Sequence, residues 1–598
     1  GVELFSLQVG AATAELLHLP SSTGVMDLGK SVKDFADTAA LAQAMDLVVT
    51  IDTSMAHLAG ALGKPVWVLL PRVADWRWLI GREDSPWYPT ARLFRQEKAG
   101  EWATVLERVR AELIKMAPAP VEVVPGAADP STAGTSQTSL FRRSRGPANE
   151  FFNLGLSKHQ RGDLPGAICH YQEALGLNPQ LAPALLNLGV AWKDSRRFEL
   201  AKECFGKLLE LHPGHPEASN NLGVVLQAEG DLESALPLFR HATGARPGYT
   251  DAELNLGVVL RELGNVVEAI QWHRRTIARQ PDCAEAHWNL GFALLLDGQL
   301  AEGWLENEWR WRMGELRGKR RDFACPEWRG EPLAGRSILL HAEQGFGDTL
   351  QFVRYLPLVI QRGGRVVLEC QPELVSLLQG LPGLAGVVAR GTAPPPCDFH
   401  LPLLSLPRVF RTSLHQIPAT APYVPAPSSP VLLDPADGVL RVGLVWGGNP
   451  SFRNDRSRSF TLAEYRPLLD EPRVQFYSLQ VGARAGELKA PGETTAIVDL
   501  APRLKDFAAT AAAIKELDLV ITSDTAVAHL AGALGKPVWV LLSFAPDWRW
   551  LLHRNDSPWY PSMRLFRQTT RGDWASVVVR VREALRERVS NARTAARI

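Results

Sequence analysis

The sequence predicts two architectures in one chain: an α-solenoid of paired helices, followed by an α/β region with two doubly wound halves. Residues 148–315 repeat at a fixed step of 34 residues, and such helix pairs bury their apolar faces only by stacking on neighbours. From Arg336 onward, apolar β-branched runs alternate with helical segments, as in parallel sheets covered by helices. A further α/β stretch, residues 1–116, opens the chain and matches the end of it.

Composition narrows the classes of function. The chain has 598 residues and a net charge of +1, which gives no reason to expect nucleic acid or a membrane surface as partner. No apolar run reaches membrane length. The six cysteines form no C-x-x-C pair, so we expect reduced thiols, no metal, no cofactor and a cytoplasmic location. They are Cys169, Cys204, Cys283, Cys325, Cys370 and Cys397.

A long stretch occurs twice. Asp52–Pro65 recurs as Asp524–Pro537, and the offset of 472 residues holds from Ser6 to Pro89 without a gap. Residues 1–116 are therefore predicted to be a partial copy that lacks its first, central strand, and we expect it to be catalytically dead. Its sheet should either close over the gap or leave two apolar edges open, and the native protein is expected to continue upstream.

Residues 117–147 are predicted to be a disordered linker, because Pro, Ala, Gly, Ser and Thr dominate and little apolar surface can be buried.

The 34-residue step is carried by several residue types. Asn-Leu-Gly recurs at Asn153, Asn187, Asn221, Asn255 and Asn289. Proline keeps the step at Pro179, Pro213, Pro247 and Pro281, and turn glycines lie at Gly162, Gly230, Gly264 and Gly298. The pattern resembles the tetratricopeptide repeat, so five repeats are expected over residues 148–315.

The five asparagines are candidate peptide-binding residues. The residue before each Leu is rotated toward the face that lines the groove of a tetratricopeptide superhelix, where an amide both donates to and accepts from a peptide backbone. The arrangement is similar to the asparagine ladder of the O-GlcNAc transferase repeats. The alternative is that these amides bridge adjacent repeats.

Tryptophan and arginine alternate over residues 304–335. Such interleaving occurs in proteins that bind single-stranded nucleic acid. We favour the alternative, a cap that docks the last repeat onto the next domain.

Two Rossmann-like halves follow, over residues 316–435 and 436–598. The first has a strand at Ser337–His341, a turn at Gly345–Asp348 and a helix from Thr349. The second opens with a strand that ends at Trp446. Strand carboxyl ends are expected to face a shared cleft. The glycine spacing fits no dinucleotide fingerprint, so an NAD-dependent oxidoreductase is a weak alternative.

The second half carries an anion-site pattern. A buried strand runs into a helix that begins at Thr525 or Ala526 and ends at Gly535, so free N–H groups point past the strand end. Asp524 stands beside them. A carboxylate at an anion site suits a ligand with hydroxyls as well as phosphates, and a sugar diphosphate has both.

Residues 336–598 resemble the heptosyltransferase-like glycosyltransferases of family nine, which have the GT-B fold. The resemblance rests on Gly347-Asp348, on the loop at Gly447–Asn449, and on Asp524–Pro537. It implies a metal-independent transfer of a sugar from a nucleotide donor to a hydroxyl.

The resemblance also implies roles for residues. Asp348 would be the general base; the alternative is an N-cap of the helix from Thr349. His529 would contact phosphate or be a buried structural histidine. The aromatic residues at 548, 550, 559 and 560 would stack on a ligand or, more commonly, form core. The implied donor-binding residues are Gly447, Gly448, Asn449, Arg453, Arg456, Arg458, Glu487, Asp524, Thr525, Ala526, Val527 and His529.

The predicted function is therefore a glycosyltransferase with a nucleotide-sugar donor and a glycan, lipid-linked glycan or protein acceptor, whose repeats bind a protein or peptide partner. The alternative is a peptide-binding scaffold with an inactive transferase domain.

Overall fold

The structure is a computed structural model. It describes residues 4–7, 25–28, 32, 35–72, 78, 82–98, 101–116, 146–314, 320–425, 427, 433, 438–450, 455–489 and 497–595. The chain divides into two compact units, Gly1–Pro213 and Gly214–Ile598. Nearly all of the linker predicted at 117–147 lies outside the described residues. No helix in the described part is both long and apolar enough to span a membrane.

The first unit begins with an α/β segment. Its strands are β1 (Leu4–Ser6), β2 (Val25–Asp27), β3 (Val48–Ile51), β4 (Val66–Leu70) and β5 (Ala91–Arg95), and its helices are α1 (Phe35–Ala44), α2 (Ser54–Ala61) and α3 (Trp102–Met116). Strands β1 and β2 form one parallel sheet, and β3–β4–β5 form another.

The gap in this segment is not closed. Closure would pair β1 with β3, but β1 pairs with β2, and within the described residues β3 has β4 as its one neighbour. Val49 and Ile51 of β3 are 43% and 56% exposed. Of the two predicted outcomes, closure is wrong and the open edge is observed, because no described strand lies between the two sheets.

Paired helices follow in both units. In the first unit they are α4 (Pro147–Gln160), α5 (Leu164–Leu177), α6 (Ala182–Asp194) and α7 (Phe198–Leu211). In the second they are α8 (Pro216–Glu229), α9 (Leu232–Ala245), α10 (Thr250–Glu262), α11 (Val266–Arg279), α12 (Ala284–Leu296) and α13 (Leu300–Asn307). Gly230 turns between α8 and α9 at φ +92°, a conformation that favours glycine, and Arg196 occupies the same slot at φ +56° one repeat earlier.

The glycine of each Asn-Leu-Gly has a packing role. In successive repeats the glycine of the first helix faces an aromatic ring of the second, and an added Cβ would come within 2.8 Å of that ring. The pairs are Gly155–Tyr171, Gly189–Phe205, Gly223–Phe239 and Gly257–His273. The close approach is what glycine permits.

The first α/β half, residues 320–425, holds a four-stranded parallel sheet in the order β8-β7-β6-β9. Its strands are β6 (Ser337–His341), β7 (Arg365–Cys370), β8 (Leu384–Ala389) and β9 (Phe399–Pro402). Its helices are α14 (Phe346–Phe352), α15 (Leu356–Gln361), α16 (Pro372–Leu378) and α17 (Leu406–Val409).

The second α/β half, residues 438–595, holds a six-stranded parallel sheet in the order β12-β11-β10-β13-β14-β15. This is the 3-2-1-4-5-6 order of doubly wound α/β folds, with β10, the first strand, at the centre. The strands are β10 (Leu440–Val445), β11 (Val474–Ser478), β12 (Ile497–Asp499), β13 (Leu519–Ser523), β14 (Val538–Leu542) and β15 (Met563–Arg567). The helices are α18 (Asp455–Arg458), α19 (Arg466–Leu469), α20 (Phe507–Glu516), α21 (Ala526–Ala533) and α22 (Trp574–Ala595).

The last repeat packs on both halves. Trp304 of α13 is 1% exposed and lies edge-on to Trp548, with ring centroids 5.2 Å apart, and it also contacts Trp559 and Phe352. Arg310 is fully buried and is hydrogen-bonded to Glu343 of the first half. Trp304 and Arg310 therefore act as the predicted cap.

Candidate functional site

The two halves meet where α14 faces α21. Gly347 of α14 lies against His529 of α21 so closely that an added Cβ would come within 2.8 Å of the imidazole Cδ2. Both helices start beyond strand carboxyl ends, α14 after β6 and α21 after β13. The cleft thus has the position expected for ligands in parallel α/β sheets.

Asp348 is on the first-half side of this cleft. It is the third residue of α14, and its Oδ2 accepts a hydrogen bond from the Gly345 N–H at 2.9 Å. Its Oδ1 accepts from Nη2 of Arg549. The alternative, an N-cap role before a helix from Thr349, is wrong, because the helix begins at Phe346 and Asp348 accepts from the N-terminal N–H group from inside the first turn.

Arg549 is a central residue that the sequence interpretation missed. Its guanidinium donates to Asp348, to Oδ1 of Asp547 at 2.7 Å and to Oε1 of Gln351 at 2.7 Å, and it lies 4.2 Å from the ring centroid of Trp548. Burial lowers the pKa of Arg549, but Asp547 and Asp348 outweigh burial and raise it. The signal was present, since Asp547–Trp550 is repeated as Asp75–Trp78.

Asp524 lies at the end of β13, just before α21, and is 9% exposed. Burial is the main cause that raises the pKa of its carboxyl to about 6, and Asp547 adds to the increase. Arg458 and Arg549 act in the opposite direction. The structure therefore brings Asp524 and Asp348 to the same arginine.

The N-terminus of α21 has the predicted form. Thr525 is the N-cap in extended backbone, but its side chain makes no capping hydrogen bond and its hydroxyl lies 3.0 Å from that of Thr522. Ala526 and Val527 follow as the first helical residues. Free N–H groups at a helix start favour an anionic group.

The loop after β10 contains Gly447 and Gly448, which the sequence analysis expects to bind the donor. The N–H of Gly447 donates to Gln480 Oε1 and that of Gly448 donates to Ser459 Oγ, both at 3.0 Å. An added Cβ would lie 2.2 Å from Cδ of Arg484 at Gly447, and 2.9 Å from Nη2 of Arg458 at Gly448. The loop therefore makes space for two arginines, and its own N–H groups are already engaged.

The remaining predicted donor-site residues differ in exposure. Arg453 lies outside the described residues, and Arg456 and Asn449 are exposed. Arg458 and Arg484 both face Asp455, at 3.6 Å and 3.1 Å.

Glu487 already has a local structural partner. Its Oε2 accepts from the backbone N–H of Leu462 at 2.9 Å, and the Glu487 side chain is 30% exposed.

His529 is a buried structural histidine. It is 4% exposed, its Nδ1 lies 2.8 Å from the Tyr560 hydroxyl, and its ring stacks on Trp550 at 5.3 Å. Burial is the main cause that lowers its pKa well below the ordinary value. Trp548, Trp550, Trp559 and Tyr560 are all at most 6% exposed, so they belong to the core.

The same cluster forms in the first unit. His57 Nδ1 lies 3.1 Å from the Tyr88 hydroxyl, and the His57 ring stacks on Trp78 at 5.2 Å. That segment has no counterpart of Asp348 in the sequence. The histidine cluster is therefore a property of the repeated α/β segment itself.

Glu343 is a second acid near Asp348. Its side chain is 6% exposed and is held by Arg310. Burial raises its pKa to about 7, although Arg310 opposes the increase. With His341 and His400 it lines a depression at the carboxyl ends of β6 and β9.

The repeat asparagines are not buried between helices. In the second unit Asn221 donates to Glu217 O at 2.9 Å, Asn289 is half-buried, and Asn255 donates to Asn220 Oδ1 at 3.0 Å, which bridges α8 and α10. In the first unit Asn187 donates to Pro183 O at 2.8 Å and Asn153 is exposed. For Asn255 the alternative of a bridge between repeats is what is observed.

Comparisons with known families agree with the two architectures. Residues 155–195, 186–250 and 226–294 match models described as TPR repeat or tetratricopeptide repeat. Residues 480–549 match the model described as glycosyltransferase family 9 (heptosyltransferase). The chain contains tetratricopeptide repeats and a glycosyltransferase family 9 domain. Both resemblances drawn from the sequence are confirmed at this level.

A curated relative is "Protein FlbA" of Caulobacter vibrioides, 28% identical over 332 residues. The match covers 49% of this chain and 54% of that protein, so the chain spans about half the length of this relative. Among solved structures, MamA of Desulfovibrio magneticus RS-1 is 22% identical, with 30% of this chain and 99% of that chain covered and a TM-score of 0.26. YrrB, described as a TPR protein with an unusual peptide-binding site, is 21% identical, with 30% and 92% covered and a TM-score of 0.25.

Proposed function

We propose that residues 320–595 form a glycosyltransferase of the GT-B type, which moves a sugar from a nucleotide diphosphate donor to a hydroxyl acceptor. The observation that carries the proposal is the meeting of Asp348, Arg549 and Asp524 across one cleft. The match to family 9 supports it, because residues 480–549 include Asp524, the start of α21 and Arg549.

The donor binds on the second half. The diphosphate lies at the N-terminus of α21, where Thr525, Ala526 and Val527 present N–H groups. Asp524 accepts hydrogen bonds from sugar hydroxyls, a role that suits a carboxyl beside an anion site.

Asp348 acts as the general base. It deprotonates the attacking hydroxyl of an acceptor that lies on the first half, in the depression beside Glu343 and His341.

Charge stabilisation comes from arginine. Arg458 and Arg484 flank the glycine loop, and Arg549 lies between the two halves. Guanidinium groups that face a departing diphosphate neutralise the developing negative charge, which is the task of a divalent metal in other folds. We therefore propose that transfer continues in the presence of a chelator.

The repeats bind a protein or peptide partner. In the second unit, the half-buried residues Asn221 and Asn289 occur at equivalent positions of two repeats. The α/β segment at 1–116 repeats part of the donor half, and we propose that transfer by residues 320–595 does not depend on it.

The test uses the full chain and a panel of nucleotide sugars. At least one should raise the melting temperature, as expected for a ligand that binds the folded state. Asp524→Asn should remove the shift, whereas the matched variant Asp52→Asn should keep it. A chain that responds to no nucleotide sugar, or a shift that survives Asp524→Asn, would contradict the proposal.

A further inference from the structure

The ion pair between Asp348 and Arg549 places the two halves in direct contact at the reacting centre. Asp348 lies in α14 of the first half, and Arg549 follows β14 of the second. Their side chains are only 18% and 11% exposed, so water screens the pair little. Both carboxylate oxygens of Asp348 already accept hydrogen bonds, one from Gly345 and one from Arg549.

The carboxylates of the cleft are already paired with arginines among the described residues. Asp524 is surrounded by Asp547, Arg458 and Arg549, and Asp455 faces Arg458 and Arg484. Arg261 also acts on Asp547. A phosphate ligand increases the negative charge, and so needs a cation that can turn toward it.

Arg549 is the cation best placed to turn. Three of its five N–H donors are used, each by a different residue, and within the described residues the other two have no protein partner. It is also close enough to Asp524, at the start of α21, to influence the titration of that carboxyl.

We propose that Arg549 is a donor-operated latch on the base: without donor it holds Asp348, and when a nucleotide donor binds it turns to the phosphate groups and releases the carboxylate. This inference rests on the proposed function. Asp348 then accepts the proton of the acceptor hydroxyl, the hydroxyl oxygen forms the new bond to the sugar, and the nucleotide leaves with the electron pair of the old bond. The base becomes available only after the donor is in place.

The latch makes an unusual prediction about affinity. Asp348 and the donor phosphates compete for Arg549, so Asp348→Asn should bind a nucleoside diphosphate more tightly, by about tenfold, although the residue belongs to the other half. Arg549→Gln should bind it more weakly, by about tenfold. In the double variant the gain from Asp348→Asn should vanish, because there is no arginine to release.

The measurement is calorimetric titration of the full chain with UDP, GDP and ADP. Arg554→Gln is the matched control, since within the described residues the Arg554 side chain pairs with Asp556, and this variant should bind as the wild type does. If the affinity of Asp348→Asn for the nucleoside diphosphates is lower than that of the wild type or equal to it, the ion pair only holds the two halves together and the latch is wrong. If the wild type binds none of the three nucleotides, the proposed function fails and the latch fails with it.

Discussion

Asp348 and Asp524 illustrate how two carboxylates in one cleft differ through their surroundings. Asp524 is 9% exposed and its pKa is raised to about 6, mainly by burial, whereas Asp348 is fixed by a backbone N–H and by Arg549. The first setting suits hydrogen bonding to sugar hydroxyls, and the second positions a base.

Asp348→Asn should reduce sugar transfer by a factor of about 10² to 10⁴, the usual contribution of a general base. The sequence alone suggests that donor affinity would stay unchanged, since Asp348 belongs to the first half. The contact with Arg549 makes us expect a change instead. Glu373→Gln, at an exposed position of α16, is the control and should transfer normally. Normal transfer by Asp348→Asn would remove it from the mechanism.

A buried histidine in the repeats should make stability depend on pH. His273 is 0% exposed, neither ring nitrogen has a hydrogen-bond partner among the described residues, and burial followed by the charge of Arg261 lowers its pKa to about 3. Its equivalents in earlier repeats are Tyr171, Phe205 and Phe239.

In the unfolded chain the imidazole of His273 becomes protonated below about pH 6.5, whereas in the folded chain it stays neutral. The free energy of unfolding should therefore fall by about 1.4 kcal/mol between pH 7.5 and 5.5. His273→Phe should abolish that loss, measured by denaturant unfolding of variant and wild type at both pH values. Phe239→His should introduce a similar loss. Equal pH dependence in His273→Phe and the wild type would contradict this account.

At the scale of elements, α13 joins the repeats to both α/β halves through one side chain. Trp304 contacts Trp548 and Trp559 of one half and Phe352 of the other. Trp304→Ala should lower the free energy of unfolding by about 3–5 kcal/mol, as for other large buried aromatic residues. Leu305 is the exposed neighbour of Trp304, and Leu305→Ala should lower the free energy of unfolding by less than about 0.5 kcal/mol. Denaturant unfolding of both variants measures the difference; equal losses would mean that Trp304 is no anchor.

Peptide binding in the groove of the repeats should depend on the asparagine amides. Replacing Asn221, Asn255 and Asn289 together by alanine should weaken binding of an extended peptide by about tenfold or more, since each amide contributes about 0.5–1.5 kcal/mol. Peptides selected by display on the wild type, measured by fluorescence polarisation, provide the readout. Asn265→Ala, in an exposed turn, is the control. Unchanged binding of the triple variant would show that the amides only bridge repeats.

Regular elements were predictable where a pattern repeats. The 34-residue step predicts the helix pairs, and the run from Asp518 to Leu542 predicts β13, α21 and β14 because each element lies between clear end signals. The start of α14 was placed three residues late, because glycines at 345 and 347 suggest a turn. Arg549 escaped notice because its role depends on contacts with Asp348 and Gln351, about 200 positions earlier in the chain.

At the scale of the whole chain, the repeated α/β segment occurs in two settings. In the second unit it is completed by β10 and faced by Asp348, whereas in the first β3 has an open edge. The shared histidine cluster shows that the segment keeps its internal packing in both settings. We expect the second unit to carry the activity, because Asp348 faces the repeated segment there.

The most direct test of the account is donor turnover by the full chain in the presence of a chelator. We would follow release of the nucleoside diphosphate from a panel of labelled nucleotide sugars, with wild type, Asp348→Asn, Asp524→Asn and Asp52→Asn. The account predicts that the wild type and Asp52→Asn turn over at least one donor at equal rates, and that the other two variants do not. No turnover of any donor, or turnover that survives Asp348→Asn and Asp524→Asn, would contradict it.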